Sequence, residues 1–172
     1  QIESGDFNLD FKVMNHWFDS SVLEKNWSTR DEKSIKSVLA LIVEDPSTGY
    51  LSYTNANLKH KNQADVVIEF VDFWKNGRGM APKMLIFDSK LTTYENLNQF
   101  NQGPEQIKFL HRSRRGKNLI DKVEKVSSWQ SIRIEGKNRI HKTIKAIDKT
   151  CKIRKYQGKL RQIILTAHGH LK

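Results

Sequence analysis

Asp88 closes the apolar run Lys83-Met84-Leu85-Ile86-Phe87. A carboxylate at the end of a strand buried on both faces must be solvated, paired or bound to a cation, because an isolated charge is costly to bury. Aspartate also commonly precedes a helix and accepts its free N–H groups, so an N-cap is the competing reading. Asp10 lies in Phe7-Asn8-Leu9-Asp10-Phe11, where apolar and polar residues alternate as in a strand with one exposed face, and it falls opposite the apolar side. Two such hard oxygen ligands suit Mg²⁺ or Mn²⁺. The run His111-Arg112-Ser113-Arg114-Arg115-Gly116-Lys117 concentrates charge after a predicted strand. Arg112, Arg114, Arg115 and Lys117 are candidate phosphate contacts, against the plainer reading of a solvated basic loop. Lys90, just beyond Asp88, is placed to meet a phosphate as well. Trp129 reads either as a core residue or as a platform for an unpaired base. His168 and His170 would share one strand face, but no nearby Cys or carboxylate completes a metal set. Gly77 and Gly79 follow a helix rather than a strand, so they form no nucleotide-binding fingerprint.

The elements that must position these groups follow from periodicity. A first strand ends near Phe11, and the polar stretch from Lys12 to Lys36 reads as a long ordered loop. Ser37 to Glu44 and Tyr50 to Asn55 are predicted strands joined by Asp45-Pro46-Ser47-Thr48-Gly49, a turn that makes them a hairpin. Ala64, Val67, Ile68, Val71 and Trp74 fall at three- and four-residue spacings, which predicts a helix from Asn62, its N-cap, to Asn76, stopped by Gly77. The strand ending at Asp88 is followed at once by a second predicted helix, with Thr92 and Glu95 at capping-box spacing and Gly103-Pro104 as its end. Gln106 to Leu110 reads as a short strand. This order predicts a mixed sheet with helices packed on it, the order of ribonuclease H-like folds. In that order the first and fourth strands are neighbours, so Asp10 and Asp88 would converge on one metal position. Beyond His111 the texture changes. Lys117 to Val126 reads as a short helix, and Trp129 to Glu135, Lys142 to Asp148, Lys152 to Tyr156 and Leu160 to Thr166 as strands. The expectation is therefore an α/β chain: a partial ribonuclease H-like core over 1–111, then an all-β insertion over 112–172.

A chain of 172 residues suits one domain, or a domain with an insertion. Its 30 Lys and Arg against 19 Asp and Glu leave a formal charge of +11, which makes nucleic acid the first partner to consider and its binding salt-dependent. The single cysteine, Cys151, forms no intramolecular disulfide and fits a reducing cytosol. No apolar run is long enough for a membrane span. The chain opens on Gln1 and ends on the apolar-to-basic sequence 163–172, which predicts an excised or truncated piece.

Several motifs carry a specific resemblance. They are Leu51-Ser52-Tyr53-Thr54-Asn55-Ala56-Asn57, Gln63-Ala64-Asp65, Glu69-Phe70-Val71-Asp72-Phe73-Trp74, and above all Leu85-Ile86-Phe87-Asp88-Ser89-Lys90-Leu91-Thr92-Thr93-Tyr94-Glu95-Asn96-Leu97-Asn98. Together they resemble the catalytic domain of IS4-like, IS1634-type DDE transposases. The likeness continues through Arg112, Arg114 to Lys117, Trp129 and Tyr156 to Gln162, and so covers most of the chain.

The resemblance implies that Asp10 and Asp88 are the first two of three metal-binding catalytic acids. Asp19 and Asp45 also lie upstream of the hairpin or in its turn, and Asp45 is better explained as a turn residue. The family's third acid, a Glu after the β insertion, has no match here; Glu95, Glu105, Glu124 and Glu135 read as surface or cap residues. The implied activity of the intact enzyme is Mg²⁺- or Mn²⁺-dependent cleavage and strand transfer at transposon ends by a nucleoid-associated homodimer. Two alternatives stay open: a DNA-binding module without catalysis, and a ribonuclease H-like nuclease that completes its site with an internal Glu.

Overall fold

The computed structural model describes residues 5–18, 21–28, 30–56, 58–88, 91–102, 105–112, 116–133, 143–167 and 170–171. Two compact units divide the chain, Gln1–Ser113 and Arg114–Lys172.

In the first unit the strands are β1 (Asp6–Asn15), β2 (Lys25–Ser28), β3 (Lys33–Glu44), β4 (Leu51–Asn55), β5 (Met84–Phe87) and β6 (Lys108–His111). They form one sheet in the order β2-β3-β1-β5-β6, with β4 also paired to β3. β3 runs antiparallel to β1, β2 and β4, whereas β1, β5 and β6 run parallel. The continuous apolar stretch of β3 fits a strand with neighbours on both edges. Its hairpin to β4 closes as the sequence predicts. Gly49, at φ +72°, takes the left-handed conformation the turn requires. Asp45 is fully buried and accepts hydrogen bonds from Ser47 N (2.8 Å) and Oγ (2.6 Å), which makes it a turn residue.

Helix α1 (Val66–Arg78) buries Val66, Val67, Phe70, Val71 and Trp74, the stripe that the periodicity places on one face. Phe70 and Trp74 meet Phe7 of β1 edge-on, with ring centroids 5.2 and 4.5 Å away, so α1 lies on the face carrying Phe7, Leu9, Leu85 and Phe87. Helix α2 (Tyr94–Gln99) lies on the same side, Tyr94 meeting His111 at 5.7 Å and Asn96 Nδ2 donating to Ala64 O and Asp65 Oδ1.

Several elements differ from the sequence expectations. α1 starts four residues after Asn62, which instead ends a short 3-10 turn, and it runs through Gly77 to a left-handed cap at Gly79. The second helix does not follow Asp88 at once. It is capped by Thr93, whose side chain accepts from Asn96 N at 3.2 Å, while Thr92 Oγ1 donates to Ala64 O. The predicted loop from Lys12 to Lys36 contains the end of β1, all of β2 and the start of β3. Hydrophobic alternation misses β2 because its inward residues are polar. Asn26 and Ser28 are buried, and Ser28 Oγ, Asn15 Nδ2 and the Asp31 carboxylate bond to one another, while Trp27 is exposed.

The second unit holds α3 (Lys117–Glu124) and the strands β7 (Gln130–Arg133), β8 (Thr143–Cys151), β9 (Leu160–Ala167) and β10 (His170–Leu171). The strands form an antiparallel sheet in the order β10-β9-β8-β7, with Ile144, Ala146, Ile164 and Thr166 buried. The strand expected at Lys152 to Tyr156 is instead part of the turn between β8 and β9. In it Lys155 takes φ +71°, and a Cβ at Gly158 would lie 2.8 Å from the Tyr156 ring, which would have to shift to admit a larger residue.

Candidate functional site

Asp10 and Asp88 are brought together by the parallel register of β1 and β5. That register pairs Asp6, Phe7, Asn8 and Leu9 with Met84, Leu85, Ile86 and Phe87. Each aspartate is the next residue after the last pair, Leu9 with Phe87. Leu9 and Phe87 point into the α1 face and are buried, so alternation turns Asp10 and Asp88 to the opposite face, where both are exposed. The same row continues onto β6, where Phe87 is paired with His111 and the next residue is the exposed Arg112. Neighbouring strands lie about 4.8 Å apart, so Asp10 within β1, Asp88 just past β5 and Arg112 just past β6 stand at one level of three adjacent chain segments.

The N-cap reading of Asp88 does not hold. α2 begins six residues later under its own cap, and Asp88 uses its carbonyl oxygen to accept from Leu91 N at 3.1 Å. His111 stacks on Phe87 at 5.8 Å and places Nδ1 3.2 Å from Arg112 O, which fixes the strand end from which Arg112 leaves.

Two exposed carboxylates, Asp10 within β1 and Asp88 just past the end of its neighbour β5, are hard-oxygen donors, and they suit Mg²⁺ or Mn²⁺ as part of a coordination shell completed by water or phosphate oxygens. Among the described residues, no group of three or more His, Cys, Asp or Glu side chains is arranged to hold a metal.

The other sequence candidates are scattered. Lys90, Arg114, Arg115 and His168 lie outside the described residues, as does the side chain of His170. Lys117 opens α3 and is exposed, in the second unit. Trp129 is half-buried, and its indole N–H donates to Val126 O at 3.2 Å. Lys12 was missed. It sits two residues along β1 from Asp10, on the same face and exposed, and the alternation that marked Asp10 marks it too.

Also missed was how unevenly charge is divided. Residues 1–113 carry 13 Lys and Arg against 15 Asp and Glu, a net of −2, while residues 114–172 carry 17 against 4, a net of +13. The whole basic excess belongs to the second unit.

No protein-family model matches the chain, and no curated protein matches it. Among solved structures it is similar to the piggyBac transposase of a synaptic complex with hairpin DNA, at 14% sequence identity and a TM-score of 0.52. The match covers 88% of this chain and 31% of that one, so the chain spans about a third of that transposase's length. The mixed sheet and its helices therefore have a transposase-like fold. No helix among the described residues is long and apolar enough to cross a membrane.

Proposed function

We propose that this chain is the catalytic-core portion of a DDE-type DNA transposase of the IS4-like group. The observation that carries the reading is the row where β5 and β6 end beside β1: Asp10 and Asp88 come next after the paired residues Leu9 and Phe87 of two parallel neighbouring strands, and Arg112 comes next after His111 of the third. The sheet order supports a ribonuclease H-like core, since the antiparallel β4-β3-β1 set continues into parallel β5 and β6. The likeness to a transposase that acts in a synaptic complex with DNA supports DNA as the partner.

In this reading Asp10 and Asp88 hold Mg²⁺ or Mn²⁺. When bound, such metals activate water or a 3′ hydroxyl for in-line attack on a phosphodiester and stabilise the leaving oxygen. Arg112, one strand over, grips the backbone phosphate and sets the DNA against the carboxylates. Lys90, Arg114, Arg115, Lys117 and Trp129 extend the DNA contact. The third acid of the family pattern has no match among this chain's residues, so cleavage and strand transfer at paired ends belong to the whole enzyme, acting as a dimer.

The test is a supercoiled-plasmid nicking assay in Mg²⁺ and in Mn²⁺, run beside Asp10→Asn and Asp88→Asn. Salt-sensitive DNA binding without nicking is expected. Nicking lost in both variants would mean that an internal acid completes the site, and nicking that persists in both would overturn the assignment.

A further inference from the structure

The β8–β9 hairpin does not end with the sheet it belongs to. β7 pairs only with Thr143 to Ala146 of β8, and β10 only with Thr166 and Ala167 of β9. From Ile147 paired with Ile164 to Cys151 paired with Leu160, the two strands pair with each other and, among the described residues, with no third strand. At about 3.4 Å per residue this is a two-stranded ribbon roughly 17 Å long, capped by the turn from Lys152 to Lys159. It is pinned across its width by Arg161, whose Nε lies 3.0 Å from each oxygen of Asp148 and whose Nη2 lies 2.5 Å from Oδ2. That pair cancels its own charge. What remains toward the tip is Lys149, Lys152, Arg154, Lys155 and Lys159, with no acidic residue from 149 to 159. Lys152, Arg154, Lys155 and Lys159 are exposed, and the turn that presents them is shaped by Gly158 against Tyr156.

We infer that this ribbon is an arm that grips double-stranded DNA through its phosphates, a contact outside the row at Asp10, Asp88 and Arg112; the inference rests on the DNA reading above. Charge serving solubility alone would be expected to intersperse both signs over the surface. Here the first unit is slightly acidic, and five cations gather toward the tip of one two-stranded ribbon. A two-stranded ribbon also has the width that a DNA major groove, about 12 Å across, admits, with its tip cations facing the flanking backbones.

The test measures binding of a labelled 30-base-pair duplex to the full chain by fluorescence anisotropy across a salt series. It compares wild type with Lys152→Gln/Arg154→Gln/Lys159→Gln and with a first-unit control that removes the same charge, Lys61→Gln/Lys75→Gln/Lys108→Gln. Circular dichroism and Tm confirm folding of each. Three lost phosphate contacts should lower the slope of log K against log salt by about 2–3, while the control changes it by less than about 1. If wild type binds with strong salt dependence and the ribbon variant keeps that slope, or if both variants lose it equally, the arm is refuted and the DNA reading stands. If wild type shows no salt-dependent binding, both are overturned.

Discussion

The two units solve different problems with different residues. The first packs α1 and α2 on one face of its sheet, with Phe7, Phe70 and Trp74 in direct ring contact, and leaves Asp10 and Asp88 exposed on the other face where β5 ends beside β1. The second buries a thinner set around Ile144, Ala146 and Ile164, leaves Ile132, Ile163 and Leu165 partly exposed, and carries the chain's positive charge. Rigid packing positions the acids, and charge density supplies attraction for a polyanion.

The most forceful way to test this contrast is to truncate a buried ring of the first unit and a partly exposed side chain of the second. Phe70→Ala removes a fully buried ring from the first unit and should cost about 3–5 kcal/mol in urea denaturation, whereas Leu165→Ala, at a position 38% exposed, should cost under about 2 kcal/mol. Equal losses would show that the units do not differ in packing as described. A smaller effect is expected at the hairpin. Asp45→Ala leaves Ser47 N and Oγ without their acceptor and should cost about 1–3 kcal/mol, while Asp45→Asn, which keeps an acceptor oxygen, should recover part of it.

The gentlest distinction is pH. Hydrogen bonds from Arg161 hold the Asp148 carboxyl below its ordinary 3.8, with slight burial opposing and the Arg161 charge adding. The stability this gives the second unit is present above that value and lost as pH falls through the lowered one. Burial raises the Tyr53 phenol above its ordinary 10.0, Asn55 opposing by hydrogen bonding and Glu69 adding by its charge. The corresponding stability of the first unit is intact below 10.0 and lost as pH rises through the raised value. Asp148→Asn should flatten only the acid arm of a stability–pH profile, and Tyr53→Phe only the alkaline arm.

Much of the first unit was legible because its elements obey simple periods. β3 is a continuous apolar run, α1 a clean helical stripe, and Asp10 alternates with Leu9. Asp88 could be placed because a charge at the end of such a run needs a reason. β2 was hidden because its buried residues, Asn26 and Ser28, are polar, and Ser28 is satisfied partly by Asn15 of β1, a long-range partnership that no local pattern records. Thr92 and Thr93 look equivalent as caps, and only the position of the Ala64 carbonyl decides which is drawn away. The residues of the ribbon could be counted as basic, but the point where β7 and β10 stop pairing is a tertiary fact. The row of Asp10, Asp88 and Arg112 likewise needed strand register, of which sequence supplied only the neighbouring strands.

The central claim is that Asp10 and Asp88 share a divalent metal. Mn²⁺ titrations read by electron paramagnetic resonance, on wild type, Asp10→Asn, Asp88→Asn and the double variant, test it directly. A shared site predicts that either single change removes most of the bound Mn²⁺ and that the second adds little. Binding unchanged by either substitution, or two losses that add as independent sites, would contradict it.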